Sequence, residues 1–196
     1  MNPLFNRLLL GLCLVTSLTG CPPALMVGGT AATLSVAHDR RAAGSIMDDQ
    51  IIELKAYSEL YRHPELNKNA HISVTSYNYS VLLTGQVATP EAQQLAEQTV
   101  HRIDKVKHVY NELAVGPPSS LGQRAYDSTT TAKVKTAMFQ IKDLPGFDPT
   151  RVKVVTEEGV VYLLGLLRPH EAEAVTSKAR YVSGVQKVVT LYEYIE

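Results

Sequence analysis

Val161-Tyr162-Leu163-Leu164-Gly165 restates Val81-Leu82-Leu83-Thr84-Gly85 at a distance of 80 residues. The flanks repeat as well. His71-Ile72-Ser73-Val74 returns as Arg151-Val152-Lys153-Val154, and Glu91-Ala92 returns as Glu171-Ala172. Further along, Val106 and Val109 return as Val185 and Val188, 79 residues on. Self-similarity at one distance means two copies of one structural unit. Between the copies lies Gly116-Pro117-Pro118-Ser119-Ser120-Leu121-Gly122, too rich in Pro and Gly to continue a strand or helix.

Working outward from the repeated strand, each copy reads helix, strand, strand, helix, strand. In the first, Asp48 and Asp49 can cap a helix whose Ile52, Ala56 and Leu60 recur at i, i+4, i+8. His63-Pro64 stops it. Ile72 and Val74 alternate with polar neighbours, Tyr77-Asn78-Tyr79 turns the chain, and Val81, Leu83, Gly85 and Val87 continue the alternation. Thr89-Pro90-Glu91 opens a helix with a hydroxyl cap, a proline and an acid in the first turn. The second copy is parallel, with a helical stripe of Val134, Ala137, Met138 and Ile141, strands at 152–156 and 160–167, and a helix opened by Pro169. The expected fold is α+β: two tandem units, each αββαβ, with two helices packed on a three-stranded mixed sheet. The boundaries fall at 47–115 and 127–196, with 116–126 as linker. Each unit alone is small for a stable core, so the two are expected to pack on each other.

Before the first unit, Arg7 and the apolar run Leu8 to Leu18 have the charge and length of a signal segment, too short to span a bilayer. Leu18-Thr19-Gly20-Cys21 follows and resembles the lipobox of bacterial lipoproteins; the alternative is an ordinary secretory signal with a chance cysteine. The resemblance implies cleavage after residue 20 and acylation of Cys21 by palmitate-type chains. Each buried methylene adds about 0.8 kcal/mol, so two or three chains give a lasting anchor. Pro22 stands where lipoproteins kept on the inner membrane often carry Asp, which by the same resemblance implies the outer membrane. Residues 21–46 read as a lipidated, mostly flexible tether reaching from the membrane, the alternative being that part of it packs on the first unit.

Composition narrows the function classes. The 19 basic and 19 acidic residues balance, leaving no global footprint for nucleic acid. Of two cysteines, Cys13 leaves with the signal and Cys21 is the lipid site, so the mature chain has no disulfide, thiol nucleophile or Cys metal ligand. The six histidines do not cluster, and no phosphate-cradling glycine motif occurs. No enzyme activity and no cofactor are expected.

The pattern Val161 to Gly165, Glu171-Ala172 and Ser183-Gly184-Val185-Gln186-Lys187-Val188 is similar to the BON domain. In the first copy Asp104-Lys105-Val106 replaces the Gly-Val. A lipobox followed by two such domains resembles a family of outer-membrane lipoproteins. That resemblance implies a protein facing the periplasm, supporting outer-membrane integrity at the division site, and binding anionic phospholipid through the first helix of the second domain. The residues it singles out are Thr129, Lys133, Lys135, Phe139 and Lys142, on a helix of about Asp127 to Lys142. Lys135, Phe139 and Lys142 share one side at i, i+4 and i+7, as suits an anionic interface. The alternative is that Phe139 packs on the other domain and the lysines are a solvated face. Relatives carry a Trp in the first turn, where Thr129 stands here, so the contact is expected either to be shallower or to be carried by Phe139 and the Leu144-Pro145-Gly146-Phe147 turn instead. A different class, a periplasmic adaptor docking envelope assembly proteins or a regulator of peptidoglycan hydrolases, stays open.

Overall fold

The computed structural model describes residues 39–142 and 144–196. The signal segment, Cys21 and the tether up to residue 38 lie outside the described residues, as does Asp143. Helix α1 (Ala43–Tyr61) and a short α2 (Pro64–Asn67) lead into strands β1 (His71–Tyr77) and β2 (Ser80–Val87), helix α3 (Pro90–His101) and strand β3 (His108–Val115). The second unit repeats this as α4 (Leu121–Met138), β4 (Val152–Glu157), β5 (Val160–Leu167), α5 (Pro169–Arg180) and β6 (Lys187–Tyr194). In each sheet the middle strand pairs antiparallel with the strand before it and parallel with the strand after α3 or α5. Both units therefore have the expected αββαβ plan with a mixed sheet. Thr89 caps α3 as expected, its Oγ1 accepting from Ala92 N at 3.2 Å. The short α2, which buries Leu66 beneath the end of α1, has no counterpart in the sequence reading.

The middle strands explain why the decisive stretch is apolar at nearly every position. The odd residues Val81, Leu83 and Val87 face the helices of their own unit, and so do Val161, Leu163 and Leu167. The even residues Leu82, Tyr162 and Leu164 meet, with Tyr77, in a third cluster between the two sheets. The result is four layers, helix, sheet, sheet, helix. Alternation read only from the odd positions accounts for half of this strand.

Tyr77 is the hub of that inner layer. It is 4% exposed. Its hydroxyl donates to Arg151 O (3.1 Å) and accepts from Leu166 N (3.2 Å), both in the other unit. Burial pushes the phenol up to about 12. Tyr77→Phe leaves the Leu166 amide without this acceptor and is expected to cost about 1–3 kcal/mol. Urea unfolding should show the loss as a lower midpoint of one shared transition, because both sheets lose the same contact.

Two sequence expectations shift. Asp48 and Asp49 do not cap α1, which begins at Ala43. Asp49 instead points into the β1–β2 turn, where Asn78 (φ 50°) and Tyr79 (φ 70°) are both left-handed. That is the hairpin turn that matches strand twist, and it aims two successive N–H groups the same way. Asp49 accepts both, at 2.7 and 2.9 Å. Asp127 does the same for Glu158 and Gly159, at 3.0 Å each. The second shift concerns the end of the tether. Asp39, Arg40 and Arg41 are built into the fold. Arg41 bonds Asp39 and Asp49 and lies 4.0 Å over the Tyr77 ring, while Arg40 forks onto Glu171 of the second unit.

The Gly-Val signature also has a local cause. Gly184 turns at φ 103°, and a Cβ there would crowd Thr130 Oγ1 and the Tyr126 hydroxyl. In the first unit the matching turn is made by Lys105 at φ 71°, whose Nζ reaches Asp48 at 2.8 Å.

Candidate functional site

The outer face of α4 is the surface that the sequence singles out. The helix is longer at its start than expected and shorter at its end. It begins at Leu121, capped by Ser120 Oγ accepting from Gln123 N at 3.1 Å, within the stretch read as linker. It stops at Met138 with Phe139 as C-cap. Lys142 therefore lies beyond the helix, and its expected i, i+7 relation to Lys135 does not exist as a helical spacing.

Burial sorts the remaining residues. Asp127, Thr130, Val134 and Met138 face inward. On the opposite side Ala125, Thr129, Ala132, Thr136 and Phe139 follow one another at steps of four, three, four and three, all exposed. Phe139 is 63% exposed and does not pack on the first unit. Lys133 and Lys135 flank this uncharged stripe on either side, because each sits about 100° from Val134 around the helix. Thr129 and Phe139 are thus on the stripe and the two lysines are at its margins.

Three details make the face more suited to an interface than the residue list suggests. The hydroxyls of Ser128, Thr129 and Thr136 donate to Arg124 O, Ala125 O and Ala132 O, each at 2.9 Å. Their protons are used inside the helix, so Thr129 and Thr136 turn methyl groups outward at little desolvation cost. Asp127 is 3% exposed and spent on the β4–β5 turn, so it does not offset the lysines at the surface. Neither Lys135 nor Lys142 forms an ion pair among the described residues. The sequence reading missed Tyr126, 47% exposed, with the Lys133 ammonium 6.0 Å from its ring. Its place seven residues before Lys133, on the same side of the helix, was the signal available. Phe147, by contrast, packs against the core of the second unit, which removes its ring from the proposed turn contact.

Elsewhere an open groove of about 530 Å³ runs between α5 and β6, lined by Thr176, Arg180, Tyr192 and Tyr194 among others. The Thr176 and Tyr192 hydroxyls share a hydrogen bond of 3.1 Å across it. No group of three or more His, Cys, Asp or Glu among the described residues could hold a metal ion. No helix of the described residues is long and apolar enough to cross a membrane.

Two mixed-sheet αββαβ units in tandem, with the Val-x-Leu-x-Gly strand at each centre, define the class. The BON domain model matches residues 48–117 and again 126–194, and the chain belongs to the BON-domain family. Among relatives it is 35% identical to the outer membrane lipoprotein DolP of Haemophilus influenzae over 179 residues, 91% of each chain. It is also 35% identical to a 21 kDa hemolysin of Actinobacillus pleuropneumoniae over 158 residues, covering 81% of this chain and 80% of that one. Osmotically-inducible protein Y of Escherichia coli is 28% identical over 148 residues, covering 74% and 72%.

Proposed function

We propose that the chain is a non-catalytic lipoprotein of the outer membrane, acylated at Cys21 and facing the periplasm, whose second domain lays the outer face of α4 on anionic phospholipid. In this role it supports outer-membrane integrity, with enrichment at the division site where such lipid gathers. What carries the reading is the arrangement of α4: an exposed uncharged stripe ending in Phe139, with Lys133 and Lys135 on its two margins and Lys142 just beyond. The ring would enter the acyl boundary while the ammonium groups meet phosphate. The likeness to DolP over nearly the whole of both chains supports the location.

Each lysine near an anionic surface contributes about 1 kcal/mol, so α4 alone binds weakly. On a chain already anchored by lipid the helix needs only to orient the domain or favour one lipid patch. NMR of the chain titrated with micelles, with and without phosphatidylglycerol, tests this. Selective shifts are expected between Thr129 and Phe139, and they should shrink with added salt. The triple change Lys133→Ser, Phe139→Ser, Lys135→Ser should abolish them with the thermal midpoint unchanged. Equal shifts with neutral and anionic micelles would rule out the phospholipid role and favour a protein adaptor.

A further inference from the structure

The exposed apolar side chains are not spread evenly. Met47 (66%), Ile51 (46%), Leu54 (71%) and Tyr61 (77%) all lie on α1, opposite the buried Ile52, Ala56 and Leu60. With Ser58 they step by four, three, four and three, the positions of a coiled-coil seam. A helix covering a globular core needs one apolar stripe, and α1 carries two. The second stripe is covered by nothing among the described residues. Contiguous exposed apolar surface of this kind marks an interaction site.

We infer that a second copy of this chain docks here, α1 against α1, antiparallel about a twofold axis passing between Ile51 and Leu54. The argument is self-complementarity in one register. Ile51 then meets Leu54 of the partner subunit, and Met47 meets Ser58 of the partner subunit. Tyr61 of the partner subunit falls opposite Gly44, where a Cβ would meet nothing within 4 Å, so the ring has room. In the same register Asp48, whose Oδ1 already holds Lys105, comes beside Lys55 of the partner subunit, and Gln50 beside Tyr57 of the partner subunit. Twofold symmetry makes every one of these contacts twice. The charges flanking the seam are mostly paired within the chain, Asp48 with Lys105 and Glu59 with Arg62, which leaves little net positive charge for an anionic surface and favours a neutral, self-complementary partner. The helices α1 and α4 belong to opposite outer layers, so pairing through α1 leaves the α4 face open. Two heptads make a weak dimer in free solution, and anchoring on one membrane raises the local concentration of copies.

Sedimentation equilibrium of the full chain in detergent micelles, repeated with cross-linking in lipid nanodiscs, tests the pairing. The expected result is a concentration-dependent dimer. Leu54→Asp and Lys55→Asp should each raise its dissociation constant at least about tenfold, with the thermal midpoint unchanged because both side chains are exposed. Mixed chains carrying Ile51→Cys and Leu54→Cys should form a disulfide across the axis more readily than either chain alone. A chain that stays monomeric in both settings overturns the proposal. So does a dimer indifferent to both substitutions, or a monomer whose α1 NMR signals shift with lipid and cease to do so on Leu54→Asp, which would assign the stripe to lipid.

Discussion

Asp49→Ala is expected to destabilise the protein by about 3–5 kcal/mol, a large part of the roughly 5–15 kcal/mol that holds a domain folded. Four donors converge on this one carboxylate. They are the Asn78 and Tyr79 amides, the Ser76 hydroxyl at 2.7 Å and the Arg41 guanidinium at 2.8 Å. The site is 3% exposed, so water does not replace what the mutation removes. Two left-handed residues then keep their strained conformation with their amides unsatisfied, and Arg41 loses a counter-charge beside Tyr77. Asp49→Asn keeps the shape and one acceptor and should lose less. Denaturant unfolding followed by tryptophan-free circular dichroism gives the difference directly. A loss under about 1 kcal/mol would mean that the turn is held by its strands and not by the carboxylate.

Arg40→Ala should cost a similar amount, by a different route. Glu171 has no exposed surface. Burial alone would raise its carboxyl, but the fork from Arg40 (Nη2 to Oε1, 2.7 Å) and the Arg168 amide at 2.8 Å outweigh it and hold the group below its ordinary value. Removing Arg40 strands that carboxylate, and breaking a buried pair from one side typically costs about 3–5 kcal/mol. Replacing both partners with Met should restore much of the loss, since no charge is left buried. The sign of the pH dependence follows. A depressed carboxyl contributes stability above the unfolded value of about 4.3, and that contribution fades as pH falls through the folded value. The wild type should therefore lose stability more steeply below about pH 4 than the double Met variant. Parallel acid profiles for the two would show that the pair does not carry the linkage.

Glu171 also marks where sequence and structure part. By sequence, Glu91-Ala92 and Glu171-Ala172 match at a distance of 80. In the fold the helices begin at Pro90 and Pro169, already 79 apart, so the position of buried Ala92 is taken by Glu171. The loop between strand and helix is one residue shorter in the second unit, and one residue turns a helix by about 100°. That slip moves an acid from the surface into the core, where Arg40 from outside the repeat pairs its charge beside the Arg168 amide. The repeat itself contains no sign of this partner.

The chain's own pattern was enough for the two units, their order of elements and the stripes that face each core, because periods of two and 3.6 are written in neighbouring residues. It placed Lys133, Lys135 and Phe139 off the Val134–Met138 stripe, but left open whether Phe139 packs on the other domain; only the fold shows that ring exposed. Tertiary structure alone decided the rest. Leu82, Tyr162 and Leu164 are apolar because a second sheet covers them, and no local period records a partner 80 residues away. Asp49 and Asp127 read as cap or surface charge until the turns they satisfy are folded against them. The outward stripe of α1 is visible as spacing, but only the packing of Ile52, Ala56 and Leu60 on the sheet shows that it is left over. Local sequence sets which residues can share a face. Which face is buried depends on contacts made across the chain.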